Sequence, residues 1–236
     1  MTQTFSLKIA PDTLAADAAQ LAVSVEQLSA IQIMVRAVIV RPSQLHLHYQ
    51  ITLPSKHLAK QLHWPKWQQQ QVTFTDYLWQ QTCLECFIAK PTTFMNQDQI
   101  KNQAKYIEIN ASPNGQYAIY SFDSYRNPAS SPPAPLLQPY KDEYAQISWS
   151  ANSKLSEPTF SDNSDKYSYQ RRFSFDLAQL EPDLTAKTDD TETQHHIGLI
   201  HPCVILTFGK VNLYFAPSHA APPDFHQQQY WTAFHS

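Results

Sequence analysis

Glycine is scarce in this 236-residue chain, which contains only Gly115, Gly198 and Gly209. A phosphate-binding P-loop and a dinucleotide-binding loop each need several closely spaced glycines, because the backbone must approach the phosphate groups closely. The spacing of these three glycines fits neither loop. The sequence also lacks the G-x-S-x-G and H-E-x-x-H motifs of common hydrolases. We therefore expect neither nucleotide binding by those routes nor the chemistry of those hydrolases.

An excess of positive charge is also lacking, since 17 Lys and Arg stand against 20 Asp and Glu. Nucleic acids and anionic membranes attract clusters of basic residues, so we expect neither as a partner. No apolar stretch reaches the roughly 20 residues of a membrane-spanning helix. The N-terminus has no basic region followed by an apolar stretch, as a secretory signal would. These features predict a cytoplasmic protein.

Cysteine is limited to Cys83, Cys86 and Cys203. An odd, small set favours free thiols in a reducing compartment over a disulfide framework. The C-x-x-C spacing of Cys83 and Cys86 can mark a redox pair or half of a zinc site, but residues three apart on a strand point to opposite faces.

His46 and His48 could begin a metal site, and a solvated strand face explains them equally well. We expect no metal and no cofactor.

The apolar pattern predicts an all-β, antiparallel, jelly-roll-like sandwich that spans residues 1–236 as one domain. From Gln44 to Leu53 apolar and polar residues alternate, which is typical of a strand with one buried face. A run around Ile31 to Ile39 pairs with it as a hairpin. Apolar residues at helical spacing predict one short helix within Thr13–Ile31, with Thr13 as its cap. Further strands are expected at Thr82–Ala89, Tyr106–Asn110, Gln116–Phe122, Ala145–Trp149, Tyr167–Phe175, Ile197–Leu206 and Val211–Phe215.

Three polar segments, Asn127–Pro139, Ser150–Asp165 and Glu181–Gln194, interrupt these strands. Their composition cannot bury enough apolar area to offset the entropy of ordering. We expect them to be surface loops.

Trp79 precedes the predicted strand Thr82–Ala89, and Glu85 lies within it. Glu85 is the acidic residue of an otherwise apolar run. Burying an unpaired carboxylate is costly, so Glu85 should reach an open face, pair with a cation or bind a ligand. An aromatic ring stacks on the apolar face of a sugar, and a carboxylate accepts hydrogen bonds from its hydroxyls. We expect both side chains at one open face. The alternative is that Trp79 packs in the core and Glu85 pairs with Arg126 or Lys105.

Three motifs give the chain a resemblance to the DOMON-like proteins related to family 9 carbohydrate-binding modules. They are Leu78-Trp79-x-x-Thr82-Cys83-x-Glu85-x-Phe87-Ile88, Tyr106-x-Glu108-x-Asn110-x-Ser112-Pro113-x-Gly115-x-Tyr117-x-x-Tyr120-x-Phe122-Asp123-x-Tyr125-Arg126, and His219-x-x-x-Pro223-Asp224-Phe225-His226. The resemblance implies a jelly-roll-like β-sandwich with a ligand face. Family 9 modules hold a sugar between two tryptophans, and Trp79 with Glu85 looks similar to one tryptophan and a ligand-binding glutamate. Where such a module has its second tryptophan, this chain has His219, Phe225, His226 and Trp231.

Further candidates lie in the matching motifs. Asn110 and Arg126 suit the polar side of a pocket, or a turn cap and an ion pair. The segment from His219 to His226 contains two prolines, which stiffen a loop and lower the cost of presenting its side chains. Phe225 could equally plug the sandwich and Asp224 cap a turn. The predicted ligand-binding residues are Trp79, Glu85, Asn110, Arg126, Asp224, Phe225 and His226.

The sequence therefore favours non-catalytic binding of a small polar ligand, a carbohydrate in the first instance. A different possibility is haem binding through Met and His ligands, as in other DOMON relatives, although the chain has only Met1, Met34 and Met95 and no C-x-x-C-H motif. A third is an enzyme that uses Glu85 as a general base or Cys83 as a nucleophile.

Overall fold

A computed structural model describes residues 2–40, 43–89, 104–150, 159–161, 166–180 and 197–234. These residues form β-strands in antiparallel pairs, together with short helices, so the all-β antiparallel prediction is confirmed. The strands are β1 Thr2–Ile9, β2 Gln32–Val40, β3 Gln44–Leu53, β4 Cys83–Ala89, β5 Tyr106–Ala111, β6 Tyr117–Phe122, β7 Ile147–Trp149, β8 Thr159–Ser161, β9 Lys166–Asp176, β10 Leu199–Phe208, β11 Val211–Ala216 and β12 Thr232–Ala233. The α-helices are α1 Leu14–Gln20, α2 Val25–Ser29 and α3 Lys56–Gln61.

The strands form two halves that pack face to face. The first half has the order β7-β9-β3-β2-β1, with β8 on β9, and the second has β11-β10-β4-β5-β6, with β12 on β10. The halves join where β1 pairs with β11 at Lys8 and Ile9. Across the core, the Tyr49 hydroxyl of β3 donates to the Glu85 carbonyl oxygen of β4 at 2.6 Å. The main hydrophobic core lies between the two halves.

Strand β3 shows how alternation fixes the register. Its predicted bounds, Gln44–Leu53, are those of the structure. The apolar residues at every second position are at most 1% exposed, whereas Gln50 lies on the solvent side. A slip of one residue would expose the whole apolar set, so this pattern determines the pairing with β2 and β9.

Strand β4 is buried on both faces, which explains its nearly continuous apolar sequence. Leu84 and Cys86 face the core between the halves. Cys83 and Phe87 point the other way, into a second hydrophobic cluster that also contains Tyr106. We call this side the outer face of the second half. It is covered by residues 219–234, the C-terminal segment, and by the loop that follows β6.

The N-terminal region differs from its prediction, because α1 and α2 replace a single helix. Thr13 occupies the N-cap of α1, but its hydroxyl binds the Asp17 carboxylate at 2.6 Å instead of a backbone N–H. Ala22 adopts a φ of 55°, which ends the first helix. Ser24 then begins the second through a capping box with Gln27. Strand β1 and helix α3 were also absent from the sequence prediction.

The polar segment Asn127–Pro139 is a loop, partly exposed, that runs over the outer face of the second half. Glu181–Gln194 and most of Ser150–Asp165 lie outside the described residues. Within Ser150–Asp165, residues Thr159–Ser161 form β8, so the loop prediction was wrong there. Within the described ranges, none of the helices is long and apolar enough to cross a membrane.

Candidate functional site

A cavity of about 400 Å³ opens on the outer face of the second half. Strands β4, β5 and β10 form its floor, and the loop after β6 and the C-terminal segment form its walls. Trp79 enters from the short 3₁₀ helix Leu78–Gln80, which precedes β4. The volume falls within the range of roughly 300–1,000 Å³ that is usual for small-molecule sites.

The structure brings most of the predicted ligand-binding residues into this one cavity. Those that line it are Trp79, Glu85, Arg126, Asp224, Phe225 and His226. Asn110 is fully buried beneath the floor and does not line the cavity. Residues from three distant parts of the sequence therefore share one surface.

The Glu85 side chain does not lie at an open face, so that expectation was wrong. Only 2% of the residue is exposed, because the C-terminal segment and the loop after β6 cover the face of β4 from which it projects. Its Oε1 atom is buried and has no hydrogen-bond partner among the residues that the structure describes. Burial and the neighbouring Glu108 charge raise the pKa of Glu85 well above its ordinary value. Glu85 is thus a desolvated acid on the cavity floor.

Glu108 is a second acid in the cavity, and although it belongs to the second motif it was not among the predicted ligand-binding residues. Asn110 Nδ2 donates to its Oε1 at 2.7 Å, and His226 Nε2 lies 3.7 Å from its Oε2. Burial raises its pKa to about 7, although the Asn110 hydrogen bond acts in the opposite direction. The signal was present, since Glu108 interrupts an apolar strand, Tyr106–Ala111, as Glu85 interrupts β4.

Asn110 contributes to the cavity indirectly, by holding the Glu108 carboxyl group in place. Its side-chain oxygen lies 3.5 Å from the Cys83 thiol, which donates to it, while its amide group holds the Glu108 carboxylate. Burial raises the pKa of the Cys83 thiol well above the ordinary value. Cys86 belongs to the core on the opposite side of β4, so the predicted separation of the two thiols is confirmed.

Glu85 forms an ion pair with neither Arg126 nor Lys105. Arg126 Nη2 instead donates to Asp224 Oδ1 at 2.9 Å, and Lys105 Nζ lies 3.8 Å from Asp123 Oδ1. Burial disfavours the charged form of Asp224, but hydrogen bonds from Tyr125 and Arg126 outweigh this effect and lower its pKa. The Arg126–Asp224 pair therefore ties the loop after β6 to the C-terminal segment.

Hydrogen bonds also connect the C-terminal segment to β5 and connect residues within the segment. The Tyr106 hydroxyl lies 2.7 Å from His226 Nδ1, and Trp231 Nε1 donates to the Phe225 carbonyl oxygen at 2.8 Å. Burial and the Arg126 charge lower the pKa of His226 to about 3. The imidazole is therefore neutral at physiological pH.

The aromatic side chains differ in accessibility. Trp79 is half-buried and makes edge contacts with Tyr77 and Tyr120. Phe225 is 8% exposed, so it packs as a plug, and it also lines the cavity. Trp231 is buried and stacks on His201, away from the cavity lining. Phe225 and His226, rather than Trp231, thus provide rings in the wall formed by the C-terminal segment.

The two histidines of β3 lie on the opposite side of the molecule. His46 is exposed, and His48 Nε2 lies 3.2 Å from Gln170 Oε1. Over the part of the chain that the structure describes, no group of three or more His, Cys, Asp or Glu side chains could hold a metal ion.

Comparison of the chain with models of protein families, with curated proteins and with solved structures finds no match.

Proposed function

We propose that the protein binds a small polar ligand, a carbohydrate by class, in the cavity between Trp79, Glu85 and His226. The observation that carries this proposal is the buried Glu85 Oε1, which has no partner among the described residues and belongs to a cavity-lining side chain. A buried acceptor without a hydrogen bond costs about 1–3 kcal/mol, and a ligand hydroxyl would remove that cost.

The other walls suit the same ligand class. The half-buried Trp79 ring and the Phe225 ring line the cavity and offer apolar surfaces for the C–H faces of a sugar. The Arg126–Asp224 pair lies at the rim, where it can exchange hydrogen bonds with hydroxyls. A few placed polar groups among aromatic rings are typical of small-molecule sites.

Titration of the protein with mono- and disaccharides, followed by NMR, tests the proposal. We expect shifts at the Trp79 indole and at His226, and at least about tenfold weaker binding in Trp79→Ala, which corresponds to about 1.4 kcal/mol. Trp67→Ala is the matched control, because Trp67 is also half-buried but packs on Trp149 outside the cavity lining. Sugar binding that survives Trp79→Ala unchanged would refute this site.

A second candidate function is acid–base catalysis on the bound ligand. It is favoured by the two cavity carboxyl groups, Glu85 and Glu108, whose pKa values are both raised by burial. A carboxyl group that stays protonated near neutral pH can serve as a general acid. Turnover of aryl glycosides that is lost in Glu85→Gln would indicate catalysis, whereas binding without turnover supports the non-catalytic function.

Thiol catalysis and haem binding receive less support. Cys83 is fully buried with a raised thiol pKa, and a nucleophile needs an accessible thiolate. Met34, a candidate haem ligand, is 41% exposed on β2 in the first half of the molecule. Met1 and Met95 lie outside the described residues.

A further inference from the structure

The cavity is lined by more acidic than basic side chains. Among the described residues that line it, three carry carboxyl groups, Glu85, Glu108 and Asp224, and one is a permanent cation, Arg126. Arg126 donates to Asp224 at 2.9 Å and forms an ion pair with neither glutamate, although its charge lowers the pKa of both. His226 is neutral because burial lowers its pKa to about 3. The two glutamates therefore lack a cation of their own within the described lining.

The glutamates also differ in how their oxygens are satisfied. Glu108 Oε1 accepts from Asn110 at 2.7 Å, and its Oε2 faces His226 Nε2 at 3.7 Å. Glu85 Oε1 is buried without a partner in the described part of the chain. Several buried side-chain atoms of the described residues have no partner, and Glu85 Oε1 is the one among them that belongs to a residue lining this cavity. It marks the position at which a donor group of the ligand is needed.

A hydroxyl group and a protonated amino group would meet this need differently. A hydroxyl supplies one donor and leaves both glutamates in their protonated, uncharged form. An ammonium group supplies three donors and a positive charge, so it can bind Glu85 Oε1 and stabilise the ionised form of the two carboxyl groups, which then release their protons. Trp79 and other aromatic residues line the cavity, and the face of an aromatic ring attracts cations.

We propose that the ligand carries a protonated amino group, as an amino sugar does, and that this group binds against Glu85 and Glu108. This inference rests on the proposed function and specifies the ligand class of the same cavity. The charged or titratable groups that interact with the two glutamates come from several elements. They are Tyr49 of β3, Cys83 of β4, Tyr106 of β5, Tyr120 of β6, Cys203 of β10, Arg126 of the loop after β6, and Asp224 and His226 of the C-terminal segment. The thiols, the phenols and the imidazole are neutral, and Arg126 is paired with Asp224, so the two carboxyl groups remain to receive a cation.

Matched pairs of sugars test the inference by isothermal titration calorimetry. The pairs are glucosamine with glucose, galactosamine with galactose, and mannosamine with mannose. At about pH 6.5, below the pKa of such amines, we expect at least one amino sugar to bind about tenfold more tightly than its parent hexose. N-acetylation removes the charge and should abolish the gain. Because the carboxyl groups hold a proton in the free protein, amine binding should release protons, seen as a heat that varies with the buffer.

Substitutions test whether the preference for amino sugars depends on the two glutamates. Glu85→Gln should remove the preference for the amino sugar while the parent hexose still binds, and Glu108→Gln provides a second test if the first variant folds poorly. Glu143→Gln removes an exposed carboxylate elsewhere and should keep the preference. Equal or tighter binding of the parent hexoses would overturn the inference and leave the proposed function intact. If none of the sugars binds at tens of millimolar, both proposals fail.

Discussion

The Tyr106 hydroxyl and the His226 Nδ1 atom lie 2.7 Å apart and connect β5 to a segment 120 residues further along the chain. The backbone N–H of Arg126 donates to the same hydroxyl oxygen at 3.2 Å. The hydroxyl proton is then available to Nδ1, which places the imidazole proton on Nε2, towards Glu108. This relay fixes the tautomer of His226 and orients one wall of the cavity.

Tyr106→Phe should break the relay. We expect a loss of about 1–2 kcal/mol in the free energy of unfolding, because His226 Nδ1 and the Arg126 N–H lose their buried partner. In long-range ¹H–¹⁵N NMR spectra His226 should change from the Nε2–H tautomer to a mixture of the Nε2–H and Nδ1–H tautomers. Tyr140→Phe is the control, since Tyr140 is 97% exposed. A spectrum of His226 that is unchanged in Tyr106→Phe would contradict this assignment.

Glu108→Gln should alter how stability depends on pH. Burial keeps the pKa of Glu108 at about 7 in the folded protein, above its ordinary value of 4.5. Between these values the folded state binds a proton that the unfolded state has released, so the wild type loses stability as pH rises through this window. The full shift corresponds to about 3 kcal/mol.

The variant has no such proton, and its amide oxygen can still accept from Asn110. Its free energy of unfolding should therefore rise relative to the wild type between about pH 4.5 and 7 when measured by urea unfolding. Glu143→Gln should show no such trend. A constant difference between Glu108→Gln and the wild type across this range would mean that folding does not raise the pKa of Glu108.

His226→Gln should act in the acid range with the opposite sign. Burial lowers the pKa of His226 to about 3, from an ordinary value of 6.5. As pH falls from 6.5 the unfolded chain gains a proton that the folded protein does not, so the wild type is destabilised towards pH 3. The variant should lose less stability than the wild type over this interval. His63→Gln, at an exposed site, should follow the wild type.

The parts of the fold that sequence predicted best are those governed by local alternation. Strand β3 is half-buried, so its period of two gave its bounds, whereas the fully buried β4 could be placed only by its short apolar run. The break between α1 and α2 was missed because apolar residues at helical spacing continue across it. The capping box at Ser24 and Gln27 was the available signal.

The candidate site was harder to predict, because it depends on contacts between distant segments. The motifs selected Glu85 and His226, but they could not reveal that His226 lies beside Glu108 or that Arg126 pairs with Asp224. Sequence also predicted an accessible Glu85, since a lone carboxylate in an apolar run is costly to bury. The structure buries it, because the C-terminal segment and the loop after β6 cover this face.

Asp224 is the residue on which the geometry of the cavity rim depends most. Its carboxylate accepts from the Tyr125 hydroxyl, from Arg126 Nη2 at 2.9 Å and from the His226 backbone N–H at 3.0 Å. The Asp224 side chain is only 14% exposed, whereas that of Arg126 is 53% exposed, so the ion pair alone contributes little and the hydrogen bonds carry more of the effect. We expect Asp224→Ala to lower the free energy of unfolding by about 2 kcal/mol and to weaken ligand binding by about tenfold, because the loop and the C-terminal segment lose their common anchor.

The Asp224→Asn variant should be less affected than Asp224→Ala, since its amide oxygen still accepts from the His226 N–H. Asp123→Ala is the matched control, because the Asp123 side chain is 69% exposed and lies 3.8 Å from Lys105. Urea unfolding and calorimetric titration of the three variants test this order, and equal stability of Asp224→Ala and Asp123→Ala would show that the anchor is not needed.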